Sequence, residues 1–158
     1  MSNLNPAQSK KFLLVEDDDD HAKILERSFK KGNTNGVLIR VSNGVQAMEY
    51  LHQEDQNSLP DVILLDLKLP LKDGHEVLQE IKEDNFLKFI PVIILTTSDA
   101  EADTYKAYNY HANSYLVKPL DRDSFSQMIQ DMIRYWSTWN KQIDYSSKIY
   151  LKNPKSQL

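Results

Sequence analysis

An α/β fold with a parallel sheet wound by helices on both faces is predicted by three observations. Short apolar runs, rich in aliphatic and β-branched side chains, recur five times and are bounded by polar or turn residues. Between them lie stretches whose apolar residues fall three and four apart, the period of a helix with one buried face. The connections are short. Strict strand–helix alternation of this kind, (βα)5, predicts a doubly wound parallel sheet with helices on both sides.

Phe12-Leu13-Leu14-Val15 is the first expected strand, and it stops in the acidic run Glu16 to Asp20. Ala22, Leu25 and Phe29 mark the first helix, which ends at Lys30-Lys31-Gly32 with cations in its last turn. Val37-Leu38-Ile39-Arg40-Val41 is the second strand, and Asn43-Gly44 starts a helix carrying Ala47, Met48 and Leu51. After a polar loop, Val62-Ile63-Leu64-Leu65 reads as a strand buried on both faces, ending at Asp66 and breaking at Pro70. Val77, Leu78 and Ile81 mark the third helix. Ile90 to Leu95 forms the fourth strand, followed by Thr96-Thr97-Ser98. Ala102, Tyr105 and Tyr108 suggest the fourth helix, and Ser114-Tyr115-Leu116-Val117 the fifth strand, closed by Lys118-Pro119. A last helix over 121–140 carries Phe125, Met128, Ile129, Met132, Ile133 and Trp136 on one face. The expected organisation is a flexible lead over 1–10, one domain over 11–140, and a tail over 141–158 that is disordered or forms an interface.

Composition narrows the function. At 158 residues the chain can bury one sizeable core. A net charge of −4 argues against a nucleic-acid partner, which calls for a basic surface. No apolar run reaches the length of a membrane span, and the N-terminus lacks a signal-peptide core, so a cytoplasmic protein without a membrane partner is expected. With no cysteine, thiolate catalysis and cysteine–zinc sites are excluded.

The strand ends converge on one chemistry. In an open parallel sheet, ligands sit beyond the carboxyl ends of the strands. There stand Glu16 and Asp17, then Asp66, Thr96 and Lys118. An Asp in such a place also suits a turn cap, but clustered carboxylates repel each other unless a cation joins them. An all-oxygen donor set suits Mg²⁺. Asp66 could then act as a nucleophile that forms an aspartyl phosphate. Lys118 and Thr96 would neutralise and hydrogen-bond the phosphoryl oxygens.

These motifs resemble those of response-regulator receiver domains over roughly residues 11 to 137. Glu16-Asp17 resembles the family's acidic pair, Asp66 its phosphoacceptor and Thr96 its switch hydroxyl. Lys118-Pro119 resembles its lysine and cis-proline, Tyr115 its aromatic switch, and Pro70 and Gly74 its loop after the phosphoacceptor. The resemblance implies the flavodoxin-like strand order 2-1-3-4-5. It also implies Mg²⁺ held by Asp17, Asp66 and the Lys68 carbonyl, with Glu16 acting through water. A sensor histidine kinase would donate the phosphoryl group, and the chain would catalyse only its own phosphorylation and dephosphorylation. Thr96 and Tyr115 would then remodel the surface of the fourth helix, fifth strand and fifth helix for a downstream protein. Lys68, where an Asn or another polar residue is common, and Thr97, where a smaller residue is common, depart from the pattern and bear on phosphoryl lifetime and access to the site. The chain end looks similar to the single-domain regulators that partner bacterial phytochromes, which implies a homodimer, with Tyr135, Trp136 and Trp139 as interface residues.

Rival readings fare worse. An aspartate-nucleophile phosphatase wants an acid two residues after the nucleophile, where Lys68 stands. A nucleotide or flavin binder wants a glycine-rich loop where this chain has acids. An adaptor whose phosphorylation site is unused stays open. Asp18, Asp19 and Asp20 read as helix-start residues, and His21, His52, His75 and His111 as solvated surface. Tyr105, Tyr108 and Tyr110 divide between core and a partner surface. Ser147 to Lys152 alternates weakly, as an edge strand or a disordered tail would.

Overall fold

Each apolar run becomes a strand because its neighbours cover both of its faces. The computed structural model describes residues 9–32, 36–53, 55 and 58–143. Its strands are β1 (Lys10–Val15), β2 (Gly36–Val41), β3 (Val62–Leu65), β4 (Val92–Thr96) and β5 (Ser114–Val117). They form one parallel sheet in the order β2-β1-β3-β4-β5, as expected. The helices are α1 (Asp19–Lys31), α2 (Gly44–Leu51), α3 (Gly74–Glu83), α4 (Glu101–Asn109) and α5 (Arg122–Arg134). The expected lead and the alternating Ser147 to Lys152 run fall outside the described residues, apart from the start of β1.

Alternation along the strands builds two apolar layers. Leu13, Val15, Ile63, Leu65, Val92 and Ile94 face α2 and α3 through Ala47, Leu51, Val77, Leu78 and Ile81. Their neighbours Phe12, Leu14, Val62, Leu64, Ile93 and Leu95 face α1 and α5 through Leu25, Phe29, Phe125, Ile129 and Ile133. Each fully buried Val, Leu, Ile or Phe contributes about 1.5–3 kcal/mol. The sheet is therefore a rigid plate, and its carboxyl edge holds whatever stands on it.

Capping residues set where the helices begin. Asp18 accepts from the Asp20 and His21 amides, Asn43 from Gln46, Asp73 from Glu76 and Asp121 from Ser124. Asp19 and Asp20 occupy the first turn of α1, where the helix dipole favours anions. The acidic run after β1 thus serves two purposes, and Asp18 is its cap.

Two expectations about helices are corrected. In α4 the core residue is Ala107, while Ala102, Tyr105 and Tyr108 face solvent; Tyr110, just beyond the helix, packs against the core. The register of large side chains misled because a small residue makes the close contact. The last helix does not run on to 140. After Arg134 the backbone widens into one π-turn, Tyr135–Trp139, closed by the Asn140 amide on the Tyr135 carbonyl at 3.0 Å. The chain then turns back beneath the sheet, where Gln142 accepts from Lys10 Nζ and donates to the Asp61 carbonyl.

Candidate functional site

The site is a crevice at the carboxyl edge, where the strand order reverses between β1 and β3. Glu16 leaves β1 with its amide on the Val41 carbonyl, and Arg40 Nε donates to its carbonyl at 3.0 Å. Asp66 leaves β3 with its amide on the Val15 carbonyl at 3.1 Å. Gly74, opening α3, lies against that strand end and donates to the Leu67 carbonyl at 2.8 Å. Lys118 leaves β5 with its amide on the Thr96 carbonyl at 2.7 Å, so the ends of β4 and β5 are tied together. Backbone bonds thus aim the Glu16, Asp66 and Lys118 side chains.

Lys118 holds the centre. Its Nζ donates to Glu16 Oε2 at 2.5 Å and to Asp66 Oδ2 at 3.0 Å, and it lies 3.0 Å from His21 Nδ1. Glu16, Asp66 and Lys118 are 1%, 7% and 5% exposed. Burial pushes the Glu16 carboxyl up to about 7, and Asp66 adds repulsion that Lys118 opposes. Asp66 Oδ1 accepts from the Lys68 amide at 3.3 Å, and Glu16 Oε1 from the Asp18 amide at 3.1 Å.

Glu16, Asp17 and Asp66 bring one carboxylate oxygen each within 4.8 Å of one another. Asp17 is exposed and the other two are buried. An all-oxygen set with more carboxylates than ammonium groups fits a hard divalent cation. Thr96 is buried at the end of β4, while Thr97 and Lys68 are exposed at the rim.

The response regulator receiver domain profile matches residues 12–130. The chain belongs to that family. It is 42% identical over 131 residues to the probable methanogenesis regulatory protein FilR2 of Methanothrix harundinacea (strain 6Ac), covering 82% of this chain and 84% of that protein. Response regulator Rcp1 of Synechocystis sp. is 39% identical over 130 residues, 80% of this chain and 88% of its own. The crystal structure of its Mn²⁺-bound form matches with a TM-score of 0.80 at 38% identity, over 85% of this chain and 99% of that one. The phosphorylated cyanobacterial phytochrome response regulator RcpA matches with a TM-score of 0.80 at 36% identity, over the same shares.

The receiver carries a second polar network that the sequence reading missed. His75 is buried, with Nε2 3.2 Å from Asp103 Oδ1. Ser98 Oγ donates to Asp103 Oδ2 at 2.6 Å, and these two bonds hold the Asp103 carboxyl below its ordinary value. Tyr115 OH donates to the Ser98 carbonyl at 2.9 Å, and the Ser98 amide donates to Thr96 Oγ1 at 3.4 Å. The start of α3, the β4–α4 loop, α4 and β5 are joined in one chain of contacts.

Two further expectations are corrected, and the aromatic residues after α5 are placed. His21 and His75 are not solvated surface, since one reaches Lys118 and the other Asp103; His52 and His111 remain exposed. The receiver's Lys118–Pro119 bond is trans, as is every peptide bond among the described residues. X–Pro bonds favour trans by about 0.5–1 kcal/mol unless the surroundings select cis. The aromatic end of α5 splits: Trp139 is 75% exposed and Tyr135 is exposed, but Trp136 packs against the α1–α5 layer and edge-on to Tyr135. Among the described residues no helix is long and apolar enough to cross a membrane.

Proposed function

We propose that this chain is a two-component response regulator that accepts a phosphoryl group on Asp66 from a histidine kinase and signals through protein contacts. The Lys118 ammonium, seated 3.0 Å from Asp66 Oδ2 in a buried crevice, carries this reading. An Asp66 oxygen attacks phosphorus while the phosphorus–nitrogen bond to the donor imidazole breaks; its electron pair stays on the ring, which leaves as neutral imidazole because its other nitrogen already carries a proton. Lys118 offsets charge on the phosphoryl oxygens, and the Thr96 hydroxyl can donate to one of them. Asp17, Asp66 and the Lys68 carbonyl would hold Mg²⁺ directly, with Glu16 through water. The ion supplies charge neutralisation for the phosphoryl oxygens.

The switch runs through Ser98. Once the Thr96 hydroxyl turns to a phosphoryl oxygen, the Ser98 amide loses its partner and the anchor of the Tyr115 hydroxyl loosens. Tyr115 then turns inward and the α4–β5–α5 surface changes. Lys68 and Thr97 stand at the rim where water reaches the acyl phosphate, so they tune its lifetime. The chain acts in the cytoplasm and catalyses no turnover beyond its own phosphorylation and hydrolysis. The similarity to a phytochrome response regulator favours a phytochrome-class kinase as donor. Exposed Tyr135 and Trp139, with Trp136 between them, favour a homodimer through α5.

The test is phosphorylation by phosphoramidate with Mg²⁺, read by intact mass, on wild type and Asp66→Asn, with sedimentation of the same samples. One adduct that needs Mg²⁺ and vanishes in Asp66→Asn is expected, with a shift toward dimer. No adduct in wild type would leave an adaptor with an idle site.

A further inference from the structure

A lysine ammonium has three N–H donors and no acceptor. Lys118 places two of them on Glu16 and Asp66, and the third atom in range is His21 Nδ1 at 3.0 Å. An ammonium only donates, so this contact is a hydrogen bond in the tautomer that carries the ring proton on Nε2; the same Nδ1 lies 3.9 Å from Asp18 Oδ2. The imidazole is itself held from two sides. Its backbone amide donates to the Asp18 cap at 3.0 Å, and its ring lies edge-on to buried Phe125 at 5.9 Å and 81°. His21 is therefore fixed by α1 and α5 independently of the two carboxylates.

We infer that His21 is a positioning residue for Lys118, taking the third ammonium N–H so that the charge stays at the mouth of Asp66. The carboxylates alone cannot do this. Each gives Lys118 one oxygen, Glu16 Oε2 and Asp66 Oδ2, while its other oxygen accepts the Asp18 or Lys68 amide, so the third N–H is left to His21. When a phosphoryl group arrives on Asp66, the Oδ2 seat passes to a phosphoryl oxygen while the Glu16 and His21 seats persist. Lys118 then meets the incoming charge already oriented, the saving in reorganisation that makes a preorganised donor effective. Its consequence for phosphoryl uptake rests on Asp66 being the phosphoacceptor, but the placement of the ammonium does not.

Two variants separate an acceptor from a filler. His21→Leu keeps apolar bulk against Phe125 and removes the acceptor; His21→Asn restores an acceptor oxygen near the Nδ1 position. The first readout is the Lys118 ammonium resonance in ¹⁵N-labelled full chain, assigned by its loss in Lys118→Met. It is expected as a slowly exchanging signal in wild type and His21→Asn, and to exchange at least about tenfold faster in His21→Leu, the size of one lost hydrogen bond to a charged group. The second readout is the rate of phosphoryl uptake from phosphoramidate with Mg²⁺. A fall of about tenfold in His21→Leu, with recovery to within about threefold in His21→Asn, is expected on the same footing. An ammonium signal unchanged by His21→Leu, or absent in wild type, overturns the inference. Equal uptake losses in both variants also overturn it, because restoring an acceptor would then restore nothing, and so does full uptake in His21→Leu, because filling alone would then be the role. If wild type takes up no phosphate while the ammonium signal responds as expected, the positioning stands and the phosphoacceptor reading falls.

Discussion

Gly74→Ala is the substitution for which the structure sets the sharpest expectation. A Cβ there would lie 2.1 Å from the Asp66 carbonyl oxygen, 2.5 Å from Leu67 Cα and 2.9 Å from the Asp66 carbonyl carbon. Non-bonded heavy atoms settle at about 3.5 Å or more, so the strand end or the helix start must yield by roughly 1 Å. Both are backbone and neither can rotate away. Helix propensity alone would favour Ala over Gly by up to about 1 kcal/mol, so the sign of the result is diagnostic. Overpacking of this kind costs about 3 kcal/mol, enough to outweigh that gain. The displaced residue is Asp66, the proposed phosphoacceptor, and a shift near 1 Å in a reacting group lowers rates by about 100-fold. Urea titration of the metal-free protein measures the first effect, and uptake from phosphoramidate the second. Gly36→Ala is the control, because its Cβ would meet side chains and no backbone, the Phe29 ring at 3.2 and 3.3 Å and Phe12 Cε2 at 3.7 Å. A Gly74→Ala protein as stable as wild type, with unchanged uptake, would show that α3 does not press on the end of β3.

Glu16 makes stability pH-dependent in a stated direction. Its carboxyl lies at about 7 in the fold against 4.5 when exposed, so the folded state binds the extra proton between those values. Metal-free stability should fall as pH rises from 4.5 to 7, by about 3 kcal/mol at most, and Glu16→Gln should flatten the curve; a parallel curve in that variant would place the dependence elsewhere. Asp103→Ala should raise amide hydrogen exchange in α4 and loosen the Tyr115 ring while leaving β1 unchanged, because Ser98 and His75 lose their shared partner. Exchange in α4 equal to wild type would mean that the network does not hold that helix.

Period and strand ends made most of the fold legible. Val62 to Leu65 is a short run with no polar interruption, set between Pro60 and Pro70, which suits a strand covered on both faces. Glu16, Asp66, Thr96 and Lys118 could be read at the carboxyl edge because each directly follows an apolar run, and Asp17 comes next to Glu16. The two histidines were missed although their signal was present. His21, Leu25 and Phe29 are spaced by four along α1, and His75, Leu78 and Ile81 by three along α3. Each histidine therefore lies on the apolar stripe of its helix, where solvation is the wrong default. The π-turn at Tyr135–Trp139 leaves no comparable mark, since the same residues suit an α-helix. It is selected by tertiary contacts: Trp136 seats in the α1–α5 layer and Gln142 ties Lys10 to Asp61.

The same burial that makes the site costly makes it receptive. Glu16 and Asp66 together carry more negative charge than Lys118 offsets, and little of it reaches solvent. Breaking such a cluster by removing the ammonium leaves carboxylates buried and unpaired, which is more damaging than never having placed them there. Adding positive charge has the opposite sign. A cation among Glu16, Asp17 and Asp66 would let Glu16 ionise at a pH where burial otherwise favours its protonated form, so cation uptake would be linked to proton release at this edge. The two apolar layers tolerate the arrangement because it touches only the strand ends, where the backbone ladder stops and no core side chain depends on it. Function and stability are thus divided along the strands: their middles hold the plate, and their ends hold charge in an environment that resists it.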